Sequence, residues 1–365
     1  MTINEFIPQM RPFFGDEERA ELIAYLEEDG FFTEFKKTEK FEQMIAEFTG
    51  ARHCIVVNNG TISLTLAAIA LGIESGDEVI VPNYTMIASP NSVKMIGATP
   101  VFVDVEPETL VVDIAAIRKA ITARTKGIIW VSANGRAPKA GIDSFLQLSE
   151  ETGIPLLEDA AQSLGSFYAD GQHIGRVGAI GSFSFSAPKI ISTGQGGALI
   201  TDDDNLANKL RRLKDFGRTS GGTDVHESIG YNFKFTELQA CVGIAQMRKL
   251  AGRIVRKKEI YQLYRDSLES CRHIKLFETD LELCTPWFID CLVEDRENLI
   301  VFLKNRGIGT RTMYPPINRQ LAYDLPGNFP VSERVGRDGL WLPSMIQLSD
   351  EQVIRICMEI KNFYC

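Results

Sequence analysis

Four histidines in 365 residues, His53, His173, His226 and His273, leave little material for a metal site, because none lies three or four positions from another. No metal is expected. The seven cysteines, Cys54, Cys241, Cys271, Cys284, Cys291, Cys357 and Cys365, are odd in number and form no CxxC pair, which excludes a complete disulfide framework and a zinc ribbon. A reducing cytoplasm suits such a chain. The longest apolar run, near Leu64 to Ile73, is too short to span a bilayer, and Met1-Thr-Ile-Asn-Glu-Phe-Ile7 lacks the basic start and apolar core of a signal peptide. Positive charge is scarce as well: 39 Lys and Arg oppose 48 Asp and Glu, for a net charge of -9, and no basic run is interleaved with aromatics. A nucleic-acid surface and a membrane role are therefore not expected, and the partner should be small. Repeats, low-complexity tracts and flexible linkers are also missing, so the parts should pack tightly.

What is present is core. At 44% hydrophobic and 24% charged residues the chain can fill two domains. Short β-branched runs alternate with helical stretches: Cys54–Val57, Glu78–Val81, Pro100–Val103, Gly127–Val131, Ile154–Leu157, Gly181–Phe185 and Ala198–Ile200. Continuous apolar runs of this length, separated by helices such as Ser63–Leu71 and Asp113–Ala123, predict an α/β domain with a mainly parallel seven-stranded sheet covered on both faces. Helical sequence follows over Asn205–Asp215 and Glu237–Asp266, then two or three strands including Cys291–Val293, and a closing helix over Asp350–Tyr364. The expected division is an N-terminal segment and large domain over 1–245 and a smaller α+β domain over 246–365.

In open α/β sheets ligands gather beyond the carboxyl ends of the strands, so polar clusters that follow apolar runs can be read as parts of one site. Val56-Val-Asn-Asn-Gly60-Thr61-Ile62-Ser63 leaves a strand and opens a helix, offering backbone N–H groups and hydroxyls to an anion. It reads equally as an Asn-Gly turn with a helix cap. Glu158-Asp159 puts two carboxylates at a buried strand end, where a charge needs a cationic partner: a protonated pyridine nitrogen would serve, and so would an arginine. Lys189 comes five residues after Ser184 and five before the glycine-rich turn Gly194-Gln-Gly-Gly197. An amine beside an anion cup is what a tethered pyridoxal phosphate requires, although a lone lysine is more often a solvated one. The order of the three clusters in one sheet makes coincidence a poor account of them.

Several longer stretches then carry a resemblance: Asn59-Gly-Thr61, Gly76-Asp-Glu-Val-Ile-Val-Pro82, Gly97-Ala-Thr-Pro-Val-Phe-Val-Asp104, Glu158-Asp-Ala-Ala-Gln162, Ser182 through Lys189 to Gly197, and Ile229-Gly-Tyr-Asn232-Phe-Lys-Phe-Thr236. Over nearly its whole length the chain resembles the sugar aminotransferases of the DegT/DnrJ/EryC1/StrS family, a branch of the fold-type I pyridoxal phosphate enzymes. The resemblance implies that Lys189 tethers the cofactor and acts as base, and that Asp159 bonds the pyridine nitrogen. It also implies that Gly60, Thr61, the Ile62 backbone and Ser184 bind the phosphate, with Gln162 near the ring's phenolic side. In the family an asparagine of the neighbouring subunit reaches the phosphate; Asn232 holds that position, implying a homodimer with shared sites. The amino donor implied is glutamate, and the acceptor a nucleotide-linked keto sugar.

The chain departs from the family at several positions. Met86 stands where an aromatic commonly covers the ring, with Tyr84 two residues earlier; Ser132 replaces a histidine, Gln195 a glutamate, and Asn318 another histidine. The segment from Arg311 to Tyr323, together with Tyr231-Asn-Phe-Lys234 and the ending Leu342-Pro-Ser-Met345, looks most like the perosamine synthases, which aminate the 4-keto group of a GDP-linked 4-keto-6-deoxy sugar for surface glycans. That likeness makes Tyr84, Lys234, Arg311, Tyr314 and Asn318 candidate substrate contacts, with the arginine fork suited to a diphosphate. Amination at C3 of a UDP- or dTDP-linked sugar is the alternative. A dehydratase relative would replace Lys189 by histidine, a regulatory relative would be expected to lose Lys189 or Asp159, and an NAD enzyme would need the GxGxxG that Asn58-Asn-Gly60-Thr-Ile-Ser63 lacks.

Overall fold

The computed structural model describes residues 6–28, 30–219 and 224–364. The first seven strands are β1 (His53–Val57), β2 (Glu78–Pro82), β3 (Thr99–Val103), β4 (Thr125–Val131), β5 (Leu156–Asp159), β6 (Ile180–Ser184) and β7 (Gly197–Thr201). They form one sheet in the order β1-β7-β6-β5-β4-β2-β3, in which β7 alone runs against its neighbours. The expected seven-stranded, mostly parallel sheet is what forms.

Strand geometry explains why these runs are apolar throughout. Successive side chains point to opposite faces, and both faces are covered. Ile55, Val57, Val79, Val81, Ile129, Val131, Leu157, Ile180 and Leu199 pack under the Gly60–Ala70 and Asp204–Lys214 helices. Their alternates, Cys54, Val56, Ile80, Ile128, Trp130, Leu156, Phe183 and Ile200, pack on the other side with Phe41, Phe145 and Ile244 from three further helices. The same parity separates the two strand-end carboxylates. Asp159 shares the face of Leu157, whereas Glu158 points to the opposite face, where it accepts hydrogen bonds from the Tyr168 hydroxyl and the Gly175 and Val177 N–H groups.

Two boundaries differ from the expectation. Strand β5 begins two residues later than predicted because Pro155 has no N–H to give to the ladder. The expected helix over Glu237–Asp266 is two helices, Glu237–Arg248 and Leu250–Leu268; at Lys249 the N–H turns back to the Gln246 carbonyl at 3.2 Å. A boundary near residue 245 falls inside the first of these. Beyond them, β8 (Ile274–Leu276), β9 (Ile289–Val293), β10 (Arg311–Thr312) and β11 (Gly339–Leu342) form an antiparallel sheet in the order β10-β11-β9-β8, one strand more than the sequence suggested. The closing helix, Asp350–Tyr364, packs on its apolar face together with Leu250–Leu268. Ile7, near the other end of the chain, joins this second core through backbone bonds to Gly307 and Gly309.

The two sheets meet through an aromatic cluster containing Tyr84, Trp287, Phe288 and Trp341. They also meet through a buried pair in which Arg136, after β4, donates to Asp290 of β9 at 2.7 and 3.1 Å. No helix among the described residues is long and apolar enough to cross a membrane, and the six described cysteines are free.

Candidate active site

A cleft of about 490 Å³ opens beyond the carboxyl ends of β1, β2, β5 and β6, with the second sheet forming its outer wall. Its floor is the start of the Gly60–Ala70 helix. Asn59 caps that helix, its side chain accepting the Ile62 N–H at 3.0 Å. The Ile62 N–H expected to hold phosphate is therefore already engaged, and Ile62 is buried away from the cleft. The groups that do face the cleft are Asn59, Gly60, Thr61, Ser184 and Ser186. Two glycines permit this close approach: a Cβ on Gly60 would come within 2.8 Å of the Ser184 Cβ, and one on Gly197 within 2.6 Å of the Asn59 carbonyl. Together with the helix N-terminus, the hydroxyls make a cup for an anion.

Asp159 is buried against the opposite wall. Its Oδ2 accepts from the Ser89 hydroxyl at 2.7 Å and its Oδ1 from the Ala161 N–H at 3.2 Å, and Ser89 is in turn 2.9 Å from the Thr85 hydroxyl. Burial raises its pKa, while the Ser89 bond and the positive charge of Lys189 act the other way. No cation among the described residues forms an ion pair with it. Sequence reading missed Thr85 and Ser89, whose one local signal is a pair of hydroxyls four positions apart in the segment after β2.

Lys189 forms the third wall, half-buried, its amine 4.2 Å from the centre of the Trp287 ring. Burial is the main cause lowering its pKa to about 8; Arg311 adds to the effect and Asp159 opposes it. Trp287 was not anticipated either, since it enters from the second sheet. Gln162 also lines the cleft, its Oε1 accepting the Asn134 N–H at 2.7 Å. Met86 lies at the rim, 45% exposed, where the usual aromatic would stand.

From the second sheet come Arg311 and Tyr314, both expected, joined by Gln320, which was not. The guanidinium of Arg311 lies 5.4 Å over Trp341 and, among the described residues, forms no ion pair. Other candidates lie elsewhere. Tyr84 is buried behind Tyr314, the two rings 6.0 Å apart. Asn318 is buried in a reciprocal pair with Asn83, at 2.9 Å in both directions, and so holds the wall without lining it. Lys234 bonds Asp215 at 2.7 Å, and exposed Asn232 bridges to the same aspartate, both outside this cleft.

The arrangement suits pyridoxal phosphate on its own chemistry. An unpaired buried carboxylate, a neutralisable amine and an anion cup surround one cavity, matching a pyridine nitrogen, an aldehyde and a phosphate. Among the described residues no group of His, Cys, Asp and Glu could hold a metal ion.

Comparison with known proteins points the same way. The DegT/DnrJ/EryC1/StrS aminotransferase family matches residues 14–361. The GDP-perosamine synthase of Escherichia coli O157:H7 is 34% identical over 364 residues, 99% of each chain. S. venezuelae DesV, solved in complex with a ketimine intermediate, is 32% identical with a TM-score of 0.90 over 98% of each chain. A Streptococcus pneumoniae structure in PLP-form is 26% identical with a TM-score of 0.91 over 98% of each chain.

Proposed function

Because the chain belongs to the DegT/DnrJ/EryC1/StrS aminotransferase family and is a pyridoxal phosphate-dependent aminotransferase, we propose that it moves the amino group of glutamate to the keto carbon of a nucleotide-linked 4-keto-6-deoxy sugar. The observation that carries this reading is the single cleft in which Lys189, unpaired Asp159 and the Gly60–Thr61 anion cup converge. The E. coli relative named for GDP-perosamine supports the sugar, and a place in surface-glycan synthesis follows from that likeness. The alternative acceptor is a UDP- or dTDP-linked sugar aminated at C3.

Bound in the cleft, the cofactor supplies an aldehyde that carries nitrogen between two substrates and a ring that accepts electrons. Lys189 holds it and, once released, moves the proton at the substrate carbon bearing the transferred nitrogen. Asp159, kept in place by Ser89, holds the ring nitrogen protonated. Gly60, Thr61 and Ser184 take the phosphate, and Gln162 faces the ring's phenolic oxygen. Met86 covers the ring as a polarisable thioether with less fixed geometry than an aromatic. Arg311 and Tyr314 take the nucleotide-sugar diphosphate, while Tyr84 and Asn318 act from behind them. We further propose that the enzyme works in the cytoplasm as a homodimer, each Asn232 reaching the phosphate of the other subunit's site. Lys234 would lie near that shared site, and the chain would divide near residue 245, at the Glu237–Arg248 helix, into a large domain and a smaller one whose core also takes in Ile7.

Purified protein should be yellow and should bleach on addition of glutamate alone, the signature of a ping-pong enzyme charged by its donor. Lys189→Ala should neither trap the cofactor covalently nor turn over. Protein that stays colourless with added pyridoxal phosphate, or full activity in Lys189→Ala, would sink the proposal. Trials with GDP-, UDP- and dTDP-linked keto sugars then decide the acceptor.

A further inference from the structure

Resting on that reading, we infer that Trp287 is a positioning residue whose ring face seats the Lys189 amine while the lysine is free of the cofactor, and favours its ammonium form there. A base that moves a proton must hold it for part of every turnover, and a buried ammonium needs a partner. Among the described residues the amine forms no ion pair and donates no hydrogen bond, and Asp159 is the one carboxylate lining the cleft. That carboxylate is the partner of the ring nitrogen. What lies against the amine is the Trp287 ring, its centre 4.2 Å away, and an indole face attracts a cation more strongly than the other aromatic side chains do.

The ring is fixed from three directions. It is buried, and its indole N–H donates to the carbonyl of Pro188 at 2.8 Å; Pro188 directly precedes Lys189, so ring and lysine backbone are tied together. The backbone carbonyl of Trp287 accepts from the Lys257 amine at 2.6 Å, and the same amine donates to the Ser344 carbonyl at 2.6 Å, which joins the Trp287 segment to the Leu250–Leu268 helix and to the turn after β11. Trp341 meets the ring edge-on, centres 5.8 Å apart. The charges around the amine explain why such a seat is needed. In the cleft it faces Asp159, Arg311 and Tyr314. Behind it, across a small cavity, stand Arg11, Arg253 and Lys257, the last with its pKa lowered to about 7 by burial. One carboxylate is set against three arginines and a lysine, and the ring face supplies attraction for the ammonium that no second carboxylate provides.

Trp287→Leu removes the face and Trp287→Phe keeps a weaker one. In apoprotein, the pH midpoint for capture of free pyridoxal phosphate by Lys189 should fall by about one unit in Trp287→Leu, a tenfold loss of proton affinity, and by about half as much in Trp287→Phe. The sign follows from the ring favouring the charged form: without it the amine is free at lower pH. Lost packing alone would let water reach the ammonium and move the midpoint up instead. Replacing the three tryptophans by 5-fluorotryptophan keeps shape and N–H while drawing electron density off the ring face. The midpoint should then fall by about 0.3 unit in the parent sequence, a fraction of the ring's whole effect, and stay in place in Trp287→Phe. The surrounding charges are common to all the proteins compared and cancel. A midpoint unchanged or raised in Trp287→Leu, or a fluorotryptophan shift that is absent from the parent sequence or persists in Trp287→Phe, would overturn the inference. Should Trp287→Leu fail to fold, the fluorotryptophan pair decides alone. Apoprotein that captures no cofactor at any pH would instead remove the reading on which this rests.

Discussion

The amine of Lys189 offers a quantitative test of the site, because its reactivity toward free pyridoxal phosphate depends on how much of it is unprotonated. With the pKa lowered to about 8, chiefly by burial, close to one molecule in ten carries the free amine at pH 7. An ordinary lysine near ~10.4 carries it in about one of 2,500, so Lys189 should be favoured roughly two-hundredfold over surface lysines. The sign is set by the free base being the nucleophile: capture of the cofactor by apoprotein should speed up with rising pH and level off above a midpoint near 8. Neighbours should move that midpoint in opposite directions. Arg311→Gln removes a positive charge that disfavours the ammonium and shifts it up, whereas Asp159→Asn removes a negative charge that favours the ammonium and shifts it down. Stopped-flow absorbance across pH 6 to about 10.5 measures all three proteins. A midpoint near that of free lysine, or shifts of the same sign in both variants, would refute the account of the site.

Three further outcomes can be checked directly. Asp290→Asn leaves the Arg136 guanidinium buried without its counter-charge and should cost about 3–5 kcal/mol of stability in denaturant unfolding, whereas Arg118→Ala, which breaks an exposed pair with Glu151, should change it by less than about 1 kcal/mol. Gly60→Ala forces a methyl toward the Ser184 Cβ and should weaken cofactor binding at least about tenfold while the far-UV spectrum is kept; unchanged binding would mean that the cup is not used. Met86→Tyr, at an exposed rim position, should leave the cofactor dissociation constant within about threefold, a change smaller than one net hydrogen bond.

Much of the site is legible along the chain because its parts are local. The Asn59-Gly-Thr61 cup is a strand-to-helix turn whose cap and glycine are adjacent in sequence. Strand parity sends Glu158 and Asp159 to opposite faces, but each shares its face with a leucine, so the choice of Asp159 comes from the resemblance. Lys189 is marked by the serines and glycines on either side of it. Ile62 is the local exception: its N–H is adjacent to the cup, yet the Asn59 cap uses it, and only atomic geometry separates the two roles. Tyr84 and Asn318 illustrate another failure. Both carry the right chemistry near the cleft, but one is buried by Tyr314 and the other by Asn83, partners more than two hundred residues away in the chain.

The sequence by itself determined the alternation of strand and helix, the faces the strands bury, and the residue types able to hold an aldehyde, a ring nitrogen and a phosphate, because each of these depends on neighbours within a few positions. Tertiary structure decided which groups share the cavity. Trp287 reaches Lys189 and Asn134 reaches Phe288 only after two sheets have packed, Ser89 reaches Asp159 only once β2 and β5 are set into one sheet, and hydrogen bonds and ring contacts act over a few ångströms of space regardless of the chain length between them.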